Sequence, residues 1–177
     1  MKQSLIYLVI LFLISSCKPP EARRPVSNNS GTFIDASIER NKQLNKIEYN
    51  QIQSLIKASE KNVLTSDYGF WYYYNNKIET ITKTPKFGDL VYYTYSLKTL
   101  KKVEIYSKND LGQQTYYIDQ QELFSGLREG LKLMKEGEVV TFIFPSQKAY
   151  GYYGDNDQIG SNEPLICEVS LLKHQIN

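Results

Sequence analysis

Cysteine is nearly absent from this 177-residue chain, which has only Cys17 and Cys167. The first sits in a leader-like segment and the second in an apolar stretch, so neither a disulfide framework nor a cysteine metal cluster can be assembled from them. Histidine is scarcer still. The single His174 stands near the C-terminus in what reads as a tail, which excludes a multi-histidine zinc site and a His-based nucleophile triad. Asp155-Asn156-Asp157 offers carboxylates but lacks the glycine and distal glutamate of a calcium loop, and reads as an exposed turn. No metal and no cofactor is expected. An excess of one charge is also missing: Lys and Arg number 21 against 19 Asp and Glu, net +2. The two signs are interspersed, so no basic stripe marks a nucleic-acid footprint.

Long hydrophobic runs are missing too, apart from one. Leu5 to Ile14 (LIYLVILFLI) follows a basic start at Lys2 and precedes the small pair Ser15-Ser16. It falls short of the ~20 apolar residues that span a bilayer and has the outline of a signal peptide. Ile14-Ser15-Ser16-Cys17 resembles the bacterial lipobox, which implies cleavage before Cys17 and acylation of that residue. Several acyl chains would hold the protein at a membrane far better than one. The expected organisation is a signal peptide at 1–16, then lipidated Cys17 with a Pro-, Ser- and Asn-rich flexible tether over 17–32. A helical extension over 33–62 and a globular domain over 63–177 follow. The expected location is the bacterial cell envelope, lipid-anchored and facing the periplasm, with inner and outer membrane and the oligomeric state left open.

What the chain has in excess is tyrosine. Of its 15, all but Tyr7 and Tyr49 lie between Tyr68 and Tyr153, which fits a half-buried sheet with an aromatic groove. Ile34, Ile38, Leu44, Ile47, Ile52, Leu55 and Ile56 recur at helical spacing. Strand signals follow at Tyr68–Tyr74, Ile78–Thr82, Leu90–Leu97, Val103–Tyr106 and Thr115–Ile118. Asp119 and Glu122 have the spacing of a capping box, and Leu123, Leu127, Leu131 and Met134 continue at helical intervals. This predicts a helix from about Gln120 to Met134, stopped by Gly137 in a left-handed cap. Strands at Val139–Phe144 and Leu165–Leu172 complete an α+β domain: an antiparallel sheet wrapped around one short helix, with an N-terminal helical extension.

Gly126-Leu127-Arg128-Glu129-Gly130-Leu131, Met134, Gly137-Glu138, Phe144-Pro145, Ala149-Tyr150-Gly151, the stretch Ile159 to Leu165 and Glu168-Val169-x-Leu171-Leu172 occur in an order that resembles the FKBP-type peptidyl-prolyl isomerases. The likeness covers Phe87 to Leu172 and includes Gly88-Asp89 leading into Val91-x-Tyr93-Thr94-Tyr95. FSGLREGLKLMKEGE and FPSQKAYGYYGD are similar to the isomerase lipoproteins associated with gliding motility. The resemblance implies an enzyme that twists prolyl amides in polypeptide substrates, assisted by no cofactor. It places catalytic contacts at Tyr150, at the Phe124 backbone N–H and at Tyr95, and substrate-binding walls at Leu123, Leu127, Ile159, Tyr106, Ile105 and Cys167.

Departures from the family pattern are expected to make the floor shallower. Leu127 replaces a Trp, Cys167 a Phe, and Tyr106 an acidic residue, with Ile105 beside it where Phe is usual and Gln114 where another Phe is common. The alternative is therefore a non-catalytic peptide-binding chaperone or assembly subunit of a cell-envelope complex.

Overall fold

The computed structural model describes residues 31–80 and 83–177; the predicted signal peptide and Cys17 lie outside them. The chain divides into two units between Glu39 and Arg40, and the packing described here is that of the second.

Helix α1 spans Gly31–Lys57, and its C-terminal turns follow the apolar spacing seen in the sequence. Ile52 is fully buried, and the Tyr49 ring lies 5.8 Å from that of Trp71. The helix gives way at Ala58 and Ser59, whose N–H groups bond back to Ser54 and Ile56. No described helix is long and apolar enough to cross a membrane.

The sheet contains β1 (Leu64–Thr65), β2 (Trp71–Asn76), β3 (Leu90–Thr99), β4 (Glu104–Tyr106), β5 (Gln114–Tyr117), β6 (Val139–Phe144) and β7 (Leu165–Gln175). Every pairing is antiparallel, in the order β1-β2-β6-β7-β3-β4, with β5 also on β3. Strand β3 pairs with β7 along its whole length. Its other edge is shared by β5 over Leu90–Tyr93 and β4 over Leu97–Lys98. Between those two, α2 (Lys108–Leu111) closes a capping box of Ser107 and Asp110.

Helix α3 covers Ser125–Leu131 and buries Gly126, Leu127, Gly130 and Leu131 among side chains of β3, β6 and β7 in one core cluster. On the opposite face of β6, Ile143 is also buried and pairs in register with Trp71, whose ring meets α1. Both faces of β6 are thus covered. A strand buried on both sides carries a nearly continuous apolar run, as VVTFIF does.

Three expectations are corrected. The predicted helix Gln120–Met134 is only α3. Asp119 does not cap it, because Asp119 sits at φ 59° in a turn closed by Gln120 N–H to Tyr117 O, and its carboxylate takes Lys132 instead. Leu133 and Met134 N–H groups bond three residues back, so the helix tightens and ends; Gly137 does adopt φ 85° but as a turn into β6, donating to Leu171 O. Secondly, of the expected strand Ile78–Thr82, residues 78–80 form none, and 81–82 lie outside the described residues. The Ile78 N–H donates to Glu138 Oε1 at 3.0 Å and its carbonyl accepts from Lys135 Nζ at 2.9 Å, so neither group is left for a ladder. Glu138, buried to 1% exposure, also accepts from Lys135 N–H. Thirdly, His174 is no tail residue. It lies in β7, with Nε2 2.8 Å from Asp89 Oδ2 and both side chains nearly covered.

Candidate functional site

The N-terminus of α3 positions the first part of the site. Phe124 is its N-cap residue, extended at φ −61°, ψ 141°, and no side chain caps the helix. A helix start leaves N–H groups without intrahelical partners; among the described residues none accepts from Phe124 N–H. That donor is available to a bound carbonyl.

The second part comes from the segment after β6. Pro145 ends the strand, since it cannot donate to a ladder, and a 3₁₀ turn at Ser146–Lys148 delivers Tyr150 beside α3. The Phe124 and Tyr150 ring centroids are 5.2 Å apart, tilted by 40°. Beneath them, Phe144 meets Phe124 edge-on at 5.6 Å and stacks on Phe142 at 5.4 Å. Phe70 meets Phe144 edge-on at 5.2 Å. Offset and edge-to-face contacts of this kind are each worth about 0.5–1.5 kcal/mol beyond the area they bury, so the rings form a stiff platform.

All nine protein-fold site residues expected from sequence belong to the domain's hydrophobic core or pack against it, and of them Leu123, Phe124 and Tyr150 line the open hollow beside α3. Leu127, Ile159 and Cys167 belong to the buried core, and Tyr95, Ile105, Tyr106, Leu123, Phe124 and Tyr150 pack against it partly exposed. Leu127 and Cys167 have no accessible surface and Ile159 only 3%. Enclosed in the core, they offer almost no surface to a ligand. An open hollow of about 610 Å3 is lined by Gln121, Glu122, Leu123, Phe124, Arg128 and Tyr150.

Tyr106 points its hydroxyl at the loop after Tyr150. It donates to Asp155 Oδ2 at 2.6 Å, with Asp157 Oδ2 at 3.0 Å. Asp155 Oδ1 in turn accepts from the Asp157 and Ile159 N–H groups. The acidic turn noted in the sequence is therefore the clasp of this loop, and among the described residues no group of three potential metal ligands occurs. Burial works to raise the Asp155 pKa, but the bonds from Tyr106 and the two amides outweigh it and leave it below the usual carboxylate value.

Burial, then the neighbouring Tyr95, Asp155, Cys167 and Tyr106, push the Tyr150 hydroxyl far above its ordinary range. Tyr95 is raised for the same first reason, then by Cys167, whose thiol burial pushes up as well. At neutral pH these groups keep their protons, so Tyr150 can donate a hydrogen bond and cannot act as a base. Sequence reasoning missed Phe144, Phe142 and Phe70. The strand alternation on β6 could have found the first two, since residues 142 and 144 must share a face. Arg128 of the same motif also lines the hollow.

The FKBP_C family model, described as FKBP-type peptidyl-prolyl cis-trans isomerase, matches residues 82–172. A probable FKBP-type peptidyl-prolyl cis-trans isomerase FkpA of Neisseria meningitidis is 31% identical over 140 residues, 77% of this chain and 50% of that protein. A probable FKBP-type peptidyl-prolyl cis-trans isomerase of Haemophilus influenzae is 32% identical over 118 residues, covering 65% of this chain and 46% of that protein. The chain thus spans about half the length of these curated relatives. Among solved structures, FkpA from Escherichia coli matches with a TM-score of 0.62 at 24% identity, covering 99% of this chain and 82% of that one. A peptidyl-prolyl cis-trans isomerase from Pseudomonas syringae matches at 0.62 and 21% identity, over 76% and 96%. At these identities the structural likeness speaks for the fold.

Proposed function

The chain belongs to the FKBP-type peptidyl-prolyl cis-trans isomerase family, and from that premise we propose that it isomerises Xaa-Pro bonds in polypeptide clients while held at a bacterial membrane by acyl chains on Cys17. The observation that carries the catalytic reading is the Phe124–Tyr150 ring pair, 5.2 Å apart, beside the unaccepted Phe124 N–H.

The chemistry needs no nucleophile. Amide resonance sets a barrier of about 18–20 kcal/mol, and uncatalysed exchange takes tens to hundreds of seconds. In the proposed complex a prolyl ring rests on Phe124, Leu123 and Tyr150, while the Phe124 N–H and Tyr150 hydroxyl hold the flanking carbonyls. Apolar contact withholds the water that stabilises the planar amide, and two fixed donors hold the chain as it twists. Each tenfold in rate requires about 1.36 kcal/mol of preference for the twisted state. Lipidation at Cys17 would place this activity in the envelope. The stretches FSGLREGLKLMKEGE and FPSQKAYGYYGD support clients in envelope machinery, gliding machinery among them.

A proline-peptide isomerisation assay on the purified protein tests the proposal. Acceleration over buffer is expected, and Tyr150→Phe should lower kcat/KM by about 2- to 10-fold, the value of one neutral hydrogen bond. A folded protein with no acceleration ends the catalytic reading. Loss of acyl label in Cys17→Ser checks the anchor. A second reading, peptide binding without turnover, is favoured by the complete burial of Leu127 and Cys167, which present no surface to a prolyl ring. Saturable peptide binding with no rate enhancement would select it.

A further inference from the structure

The 3₁₀ turn that delivers Tyr150 starts on a residue that cannot cap it. Its N-cap is Pro145, which has no side-chain acceptor, and no local side chain bonds the turn's first N–H groups. The missing acceptor comes from α1. Glu48, 98 residues earlier and only 9% exposed, accepts from Ser146 N–H at 2.6 Å and from Ser146 Oγ at 2.7 Å, one bond to each carboxylate oxygen. Both bonds are charge-assisted, the strong kind.

Ser146 passes that restraint on. Its carbonyl accepts from Ala149 N–H at 3.0 Å and from Gly151 N–H at 2.8 Å, the two residues that flank Tyr150. On its far side the same turn touches α3, where Lys148 O accepts from Ser125 Oγ. One turn therefore joins Glu48 on α1 to Tyr150 and to the N-terminus of α3.

The rest of the seam is lightly made. Near Glu48, α1 holds the body by buried Ile52 and by the Tyr49–Trp71 contact, and a gap of about 350 Å3 bordered by Asn45, Gly69 and Gln147 remains along it. A buried carboxylate in such a seam has a defined role: losing it would leave the Ser146 N–H and hydroxyl without acceptors.

We propose that Glu48 is a positioning residue for prolyl isomerisation, and that α1 acts as an intramolecular brace that caps the Ser146 turn and so holds Tyr150 over Phe124. The catalytic half of this rests on the isomerase reading above; the brace itself does not.

Two measurements test it. Amide hydrogen exchange on the purified protein should show Ala149 and Gly151 exchanging at least tenfold faster in Glu48→Ala, with amides of β6 and β7 unchanged and the far-UV spectrum native. Glu48→Gln, which keeps one acceptor oxygen, should recover most of the protection. In the isomerase assay, Glu48→Ala should lower kcat several-fold with KM little changed. In a Tyr150→Phe background the same substitution should cost less than twofold, because its effect passes through Tyr150. Unchanged exchange at 149 and 151, or faster exchange spread evenly over the sheet, overturns the brace. A full additive loss in the Tyr150→Phe background overturns the positioning role. A wild-type protein without turnover refutes the isomerase reading and the positioning role with it, while the exchange result still decides the brace.

Discussion

Replacing Gly126 by alanine tests how α3 meets the sheet. A Cβ built there would lie 2.6 and 2.8 Å from Phe144 Cδ1 and Cε1 and 2.7 Å from Lys148 O. None of these can yield cheaply. Phe144 is wedged among Phe142, Phe70 and Phe124, and Lys148 O belongs to the backbone of the turn that carries Tyr150. Overpacking of this sort costs about 1–3 kcal/mol, of which alanine's better helix propensity returns at most about 1 kcal/mol. Three contacts under 3 Å put the cost at the upper end, about 3 kcal/mol, leaving about 2–3 kcal/mol net; at about 2–4 °C per kcal/mol for a chain of this size, Gly126→Ala should melt roughly 4–12 °C below the parent. Gly130, one turn on, is the control. Its Cβ would meet only the Phe142 ring edge at 3.0 Å, so the propensity gain should roughly offset the contact. Melting followed by near-UV circular dichroism reads both. A Gly126→Ala protein as stable as the parent, or a Gly130→Ala protein that suffers more, would refute the packing argument.

Tyr106→Phe should loosen the loop after Tyr150. Because Asp155 is held below its usual pKa in the fold, its bonds are present above the unfolded carboxylate value, about 3.9, and are lost as pH falls through the depressed folded value. Without the phenol the folded value rises, so exchange protection at the Asp157 and Ile159 amides should vanish at a higher pH than in the parent; an identical pH profile would refute this. Asp89→Ala strands three groups at once, since Asp89 accepts from Lys86 and Asn177 N–H and pairs with His174. About 2–3 kcal/mol of urea stability should be lost at pH 7. Burial raises the Asp89 pKa, but the His174 bond and the two amides bring it below normal. The parent's contribution therefore fades as pH drops below about 4, and the variant's acid dependence should be flatter; a variant that matches the parent in urea overturns the account.

Elements were legible where one signal dominated. Alternation marked Leu90–Leu97, and β3 is there with two further residues; the FSGLREGL motif marked α3. Boundaries failed where a side chain diverted the backbone. Asp119 and Glu122 have a capping-box spacing, but Lys132 takes the Asp119 carboxylate, and nothing local announces that a partner 13 residues on will win. Ile78–Thr82 alternates well enough, yet Glu138 and Lys135 occupy the backbone of Ile78. His174 read as tail because three polar residues, Lys173, His174 and Gln175, close a strand that looked finished at Leu172. The partner that draws His174 inward, Asp89, is 85 residues away.

The site residues show the same division between element and side chain. Position 106 was expected to hold an acid, and its loss looked like a deficit. In the fold, Tyr106 reaches two acids on the opposite loop, so carboxylate charge stands 2.6 Å from the group that replaced it. The smaller residues at 127 and 167 looked like missing floor. Across the ladder from Cys167 stands Phe142, stacked on Phe144, and both positions are fully buried; ring volume has been supplied from β6 instead. This arrangement makes a prediction opposite to the one that the family pattern suggests. Cys167→Phe, which would restore the expected aromatic, has no space to enter, since Cys167 is 0% exposed and faces a ring. It should destabilise by about 1–3 kcal/mol or more through overpacking and should not tighten proline-peptide binding. Thermal melts with peptide titration decide the matter: a Cys167→Phe protein of parental stability that binds peptide more tightly would show that the floor is open at 167, and that the rings of β6 do not fill it.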